Sequence, residues 1–162
     1  MLYVPRGLLE ETRAHLLREA PKEGVGLWAG RREVERVIPL PNVHPSPLTA
    51  YLADPLALLK ALKALEREGL SLLAIYHSHP KGPALPSPRD IKEARWRVPY
   101  VIFGTDAVRA FLLPQGQEVA LVVPQGGVGI DDPDRDIRFI ARIVVRTRRQ
   151  PGAIFEYVPL QD

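Results

Sequence analysis

The 162-residue chain is long enough for one domain with a real core and short for two. Hydrophobic residues make up 46% and charged residues 25%, a globular balance that argues against disorder, and no apolar run approaches bilayer-spanning length. The lack of any cysteine excludes disulfides, a zinc ribbon and thiol catalysis, and a net charge of only +3 gives little reason to expect a nucleic-acid partner.

Leu2–Val4 is a short apolar start that reads as a strand. The N-terminus has no succession of charged, apolar and small residues resembling a signal peptide, so a cytoplasmic protein is expected, with no membrane partner. Leu8, Leu9, His15 and Leu16 recur among charges at helical spacing, which predicts an amphipathic helix over 8–19. Pro21-Lys22-Glu23-Gly24 breaks it. Val25–Ala29 and Val34–Ile38 are apolar runs parted by Gly30-Arg31-Arg32, the pattern of a hairpin.

Four prolines between Pro39 and Pro47 predict an extended surface loop. Asp54-Pro55 opens the clearest helix, with an aspartate N-cap, proline at the first helical position, and Leu58, Leu59, Leu62 and Leu65 expected on one side. Gly69 should close it. Leu70–Tyr76 then reads as a buried strand, Ser87-Pro88 as the start of a helix to about Arg95, and 98–103, 108–113 and 118–123 as further strands.

A domain over 1–124 and a C-terminal extension over 125–162 are expected. Within the extension, Ile137, Phe139, Ala141, Ile143 and Val145 alternate with Arg138, Arg142 and Arg146, which predicts one strand with a solvated face. An edge strand or a homodimer contact is the plain reading of it; an arginine-lined surface for an acidic partner is the sharper one.

The chemistry concentrates in the stretch from Ile75 to Asp90. His77 and His79 stand two apart, so in a strand both imidazoles project to one face while Ser78 points away. Two such histidines supply half of a tetrahedral zinc shell, Asp90 can supply a third ligand, and water would take the fourth position, as in a catalytic site. Ser87-Pro88-Arg89-Asp90 is equally a helix start, with serine at the N-cap and a carboxylate at the third position. The two readings coexist, because a capped helix terminus would fix Asp90 relative to the strand. Hydrolysis also needs a general base. Glu23, on the turn before a strand, is the most interesting carboxylate, yet from the residues alone it reads as a solvated loop glutamate. His15 and His44 read as ordinary.

These residues resemble a known family. His77-x-His79-Pro80, five residues, then Pro86-Ser87-x-x-Asp90 is similar to the JAMM motif of MPN-domain metalloproteases, and Pro21-x-Glu23-x-x-Gly26-Leu27 resembles the segment carrying that family's catalytic glutamate. The resemblance spans about residues 2–124. It implies an α/β, cytidine-deaminase-like MPN fold, a mixed β-sheet flanked by helices. It further implies that His77, His79 and Asp90 ligate Zn²⁺ and that Glu23 is the general base and acid. Ser87 would stabilise the oxyanion. The bond cleaved would be a peptide or isopeptide bond, after the C-terminus of a small ubiquitin-like sulfur carrier.

The sequence also departs from parts of the family. Val25 stands where many members have cysteine, and no large insertion follows Asp90, so the chain resembles the minimal prokaryotic type. A non-catalytic MPN scaffold is the first alternative; such members usually lack a ligand, and here all three are present together with Glu23 and Ser87. A RadC-like DNA-repair-associated protein is the second; it would share the histidine motif but not the Pro21–Gly26 segment.

Overall fold

The computed structural model describes residues 1–124. The strand expected over 137–146, and the dimer contact or arginine surface read from it, lie outside the described residues. Two strands, β1 (Leu2–Tyr3) and β2 (Val25–Gly30), flank helix α1 (Arg6–Glu19). Strand β3 (Arg36–Leu40), helix α2 (Pro55–Arg67) and strand β4 (Ser71–Ser78) follow. Helix α3 (Pro88–Glu93) leads to β5 (Tyr100–Phe103), β6 (Val108–Leu112), β7 (Gln117–Val119) and β8 (Leu121–Val122). No helix among the described residues is long and apolar enough to cross a membrane.

Six strands form one mixed sheet in the order β3-β2-β4-β5-β6-β7, in which only the β4–β5 pair is parallel. Alternation of side chains divides its residues between two cores. On one face Trp28, Ala74, Tyr76, Val101 and Phe103 pack with Leu9 and Leu16 of α1. On the other, Val25, Leu27, Ile75, Tyr100 and Ile102 pack with Ala57, Leu58, Ala61 and Leu62 of α2. His77 shares the parity of Ile75 and so belongs to the α2 face.

The long helix forms as expected: the Asp54 carboxylate accepts from the Leu56 N–H at 3.0 Å, Pro55 fills the first position, and Gly69 closes the end at φ +71°. Its buried stripe is narrower than expected. Leu65 is buried and Leu58 and Leu62 are half-buried, but Leu59 remains 48% exposed, one step around the helix from Leu58.

Among the boundaries that differ from those the sequence suggests, four have a visible cause. Strand β3 begins at Arg36 rather than Val34, because Val34 is buried and its N–H donates to the Tyr3 carbonyl, not to β2. The proline loop yields Pro39 to that strand, which tolerates it as a sheet edge. Helix α3 stops at Glu93; the N–H groups of Arg95 and Trp96 both donate to the Tyr100 hydroxyl at 3.1 Å, which turns the chain out of helical geometry. The strand expected over 118–123 is split, since Leu121 and Val122 leave the sheet edge to pair in parallel with Leu2 and Tyr3.

Candidate active site

The antiparallel register of β2 and β4 sets Val25 opposite His77, and the next pairs along this ladder place Gly24 by Ser78 and Glu23 by His79. Two hydrogen bonds carry the ladder past the strand ends. The Ser78 N–H donates to the Gly24 carbonyl at 3.1 Å, and the Gly24 N–H donates to the Ser78 hydroxyl at 2.8 Å. Two segments more than fifty residues apart therefore meet at one end of the sheet. Glu23 is 7% exposed, not the solvated loop glutamate that its residues alone suggest.

His79 is oriented by the loop that follows it. Its Nδ1–H donates to the Pro83 carbonyl at 2.9 Å, which turns Nε2 towards His77 and Asp90. The loop is held in turn: the Ala84 N–H donates to the Asp106 carboxylate at 2.9 Å, and the Thr105 N–H donates to the Gly82 carbonyl at 2.8 Å. Gly104 permits this contact, since a Cβ there would lie 2.2 Å from the Ala84 nitrogen.

Ser87 and Asp90 form a complete capping box. The Ser87 hydroxyl accepts from the Asp90 N–H at 3.1 Å, and Asp90 Oδ2 accepts from the Ser87 N–H at 2.9 Å. The same Oδ2 lies 3.3 Å from His77 Nε2 and 3.2 Å from His79 Nε2, and the two imidazole nitrogens are 3.1 Å apart. The cap thus aims the carboxylate at both histidines, so capping and a ligand role are geometrically compatible.

Three atoms with lone pairs stand at the corners of a nearly equilateral triangle that could hold a cation between them. Ligands bound tetrahedrally at about 2.0–2.1 Å stand roughly 3.3 Å from one another, and the observed triangle fits that spacing. Ligand atoms of Glu23, His77 and His79 also lie within 4.8 Å of one another, so the Glu23 carboxyl borders the same site and is itself within reach of a metal there.

The surroundings tune these groups in different directions. Burial pushes His77, 0% exposed, below its ordinary pKa. Burial pulls His79 the same way, but its bonds to Asp90 and the Pro83 carbonyl outweigh this and raise it. Asp90 is buried too, yet the hydrogen bonds from the two histidines hold it far below the usual carboxylate range. Burial pushes Glu23 up to about 7; Asp90 adds to the shift, while His79 and Arg89 oppose it. Glu23 is the one carboxylate here poised to exchange a proton near neutrality.

Two residues important to this geometry carry no signal in the sequence. Asn42, inside the proline loop, donates through Nδ2 to the Glu23 carbonyl at 2.8 Å and to the Ala50 carbonyl at 3.1 Å. Tyr51 stacks its ring on His77, with centroids 4.4 Å apart. The loop read as mere surface also receives the Glu23 N–H on its Pro47 carbonyl at 2.7 Å, so it fixes the glutamate backbone from both sides. His15 takes no part in the site. It is buried on the opposite face, where Nδ1 bonds the Tyr76 hydroxyl at 2.8 Å. His44 accepts from the Ser46 N–H within its own loop.

Residues 5–114 match the family described as prokaryotic homologs of the JAB domain, Prok-JAB. The chain belongs to this family. It is similar, at 98% identity over 123 residues, to a Thermus thermophilus protein named a probable TtuB-protein conjugate cleaving protease; the match covers 76% of this chain and 83% of that one. A desampylase of Haloferax volcanii is 34% identical over 92 residues, 55% of this chain and 66% of its own. Among solved structures, a Desulfitobacterium hafniense protein superposes with a TM-score of 0.70 at 32% identity, covering 76% of this chain and 92% of the other. A JAB1/MPN domain protein from Archaeoglobus fulgidus does so at 0.54 and 20% identity, covering 75% and 98%, a likeness of fold. The mixed sheet flanked by helices is thus that of a minimal prokaryotic JAMM/MPN domain, as the resemblance implies.

Proposed function

We propose that the chain is a zinc-dependent hydrolase that cleaves a peptide or isopeptide bond after the C-terminus of a small ubiquitin-like protein. His77, His79 and Asp90 would hold the metal. The observation that carries this reading is the triangle of His77 Nε2, His79 Nε2 and Asp90 Oδ2, at 3.1–3.3 Å, with Glu23 beside it. The substrate class is supported by the names of the Thermus and Haloferax relatives, a conjugate-cleaving protease and a desampylase.

Zinc bound there would act as a Lewis acid, lowering the pKa of water towards about 7. The chain's own residues do the rest. Ionised Glu23 accepts a proton from the attacking water, whose oxygen bonds to the amide carbon; the C–N bond then breaks, and Glu23 returns the proton to the departing nitrogen. Ser87 spends an oxygen lone pair on the Asp90 N–H, which leaves its O–H to donate to the carbonyl oxygen as charge develops. A cleft of about 350 Å³ opens beside His79 and Phe103, and another of about 510 Å³ beside Tyr51 and Tyr100.

The test is zinc content together with turnover. Wild type should hold about one zinc per chain and release the C-terminal adduct of a ubiquitin-like carrier, and Asp90→Ala should lose most of the metal. Glu23→Ala should keep the metal and lose turnover. Wild-type rates in Glu23→Ala, or no zinc in the reconstituted wild type, would overturn the proposal.

A further inference from the structure

The two histidines of the triangle are supported unequally. A histidine that presents one nitrogen to a metal is ordinarily oriented by a hydrogen bond on the other, as Pro83 does for His79. His77 has no such bond. Its Nδ1 is buried and has no hydrogen-bond partner among the described residues, whichever tautomer it takes. What lies on the ring instead is Tyr51, at 4.4 Å between centroids and 30° between planes, a stacked arrangement.

Tyr51 is itself held in place from both sides. The Ala50 carbonyl accepts from Asn42 Nδ2 at 3.1 Å, and the Leu52 N–H donates to Asn42 Oδ1 at 2.9 Å, so one side chain brackets Tyr51. The Val43 N–H closes the same hairpin on the Leu52 carbonyl at 2.8 Å. The Tyr51 hydroxyl makes no hydrogen bond among the described residues, so the hydrogen-bond pattern gives it no anchor beyond this bracket.

We infer that Tyr51 is a positioning residue for the metal site, its stacked ring holding the His77 imidazole in the orientation that a hydrogen bond secures for His79. The inference rests on the metal-binding reading given above. Asn42 extends it. Through the Glu23 and Ala50 carbonyls, one amide ties the backbone of the proton-transfer residue to the residue that orients a ligand.

The experiment measures zinc affinity of the full chain by competition with a chromophoric chelator, the visible spectrum of the cobalt-substituted protein, and the melting temperature of the metal-free protein. Tyr51→Phe keeps the ring and should stay within about threefold of wild-type affinity; Tyr51→Leu should bind zinc about 10–100-fold more weakly, with an altered cobalt spectrum. Leu62→Ala, in the same core but on α2, should lower the melting temperature and leave affinity and spectrum unchanged. If Tyr51→Leu does not fold, Tyr51→Met is read on the same scale. Wild-type affinity and spectrum in the Leu or Met variant would overturn the inference, and so would a loss in Tyr51→Phe as large as theirs, which would assign the effect to the hydroxyl. A wild type that binds no zinc would overturn the metal reading itself, and the inference with it.

Discussion

Gly24 and Ser78 hold each other reciprocally, backbone N–H to hydroxyl at 2.8 Å and backbone N–H to carbonyl at 3.1 Å, and through this pair Glu23 is brought beside His79. Ser78 stands between the two histidines and points to the other face, so its work is to extend the β2–β4 ladder one step beyond the strands. Ser78→Ala leaves the buried Gly24 N–H without a partner, which should cost about 1–3 kcal/mol of stability. Chemical denaturation reads this directly. Zinc content should be retained, since none of the three ligand atoms belongs to Ser78, while kcat should fall as Glu23 loses its register.

Gly104→Ala tests the loop on the other side of His79. The added Cβ would overlap the Ala84 nitrogen, and the segment from Gly82 to Ala84 would have to move away. The Pro83 carbonyl moves with it and releases His79 Nδ1. We expect a stability loss of about 1–3 kcal/mol, typical of overpacking, and zinc affinity weaker by about 10–100-fold, typical of losing a ligand's supporting bond. Unchanged affinity would mean that His79 keeps its orientation without the loop.

The meeting of His77, His79 and Asp90 is legible because its geometry is local. A two-residue spacing on a strand and a capping box three residues long require no knowledge of distant neighbours, and the structure keeps both. Glu23 was legible only through the family resemblance, since its burial comes from a β2–β4 register and a proline loop that no local pattern reveals. Asn42, the one asparagine, and Tyr51, one of five tyrosines, belong to no local pattern that singles them out. Similarly, the apolar run over 118–123 does form strand, but such a run does not name a partner, so it could not show Leu121 and Val122 crossing to β1.

His15 supplies a pH dependence of stability away from the metal site. Burial lowers its pKa below 6.5, with Glu19 opposing and Arg18 adding, so the folded protein favours the neutral ring that bonds Tyr76. A lowered histidine contributes stability that is fully present above the unfolded pKa and is lost as pH falls from 6.5 towards the folded value. His15→Gln removes the titration. The stability difference between wild type and this variant should be constant above about pH 6.5 and shrink below it. A difference that stays flat down to pH 5 would show that His15 is equally easy to protonate in both states.

Glu23→Gln combines the chemical and thermodynamic consequences of one buried carboxyl. As an amide it can neither take nor return a proton, so turnover should fall by about 10²–10⁴-fold while bound zinc persists. The metal-free protein should respond in the opposite sense to activity. Burial raises Glu23 from 4.5 to about 7, so its contribution to stability is fully present below pH 4.5 and is lost as pH rises through about 7. Glutamine abolishes that loss, and metal-free Glu23→Gln should therefore gain on wild type steadily between pH 4.5 and 7 in denaturation experiments. This trend runs against that of His15, which weakens the fold on acidification, and the two single variants separate them. A metal-free Glu23→Gln protein that is inactive once loaded, yet more stable than wild type at pH 7, would establish that this position trades stability for proton transfer.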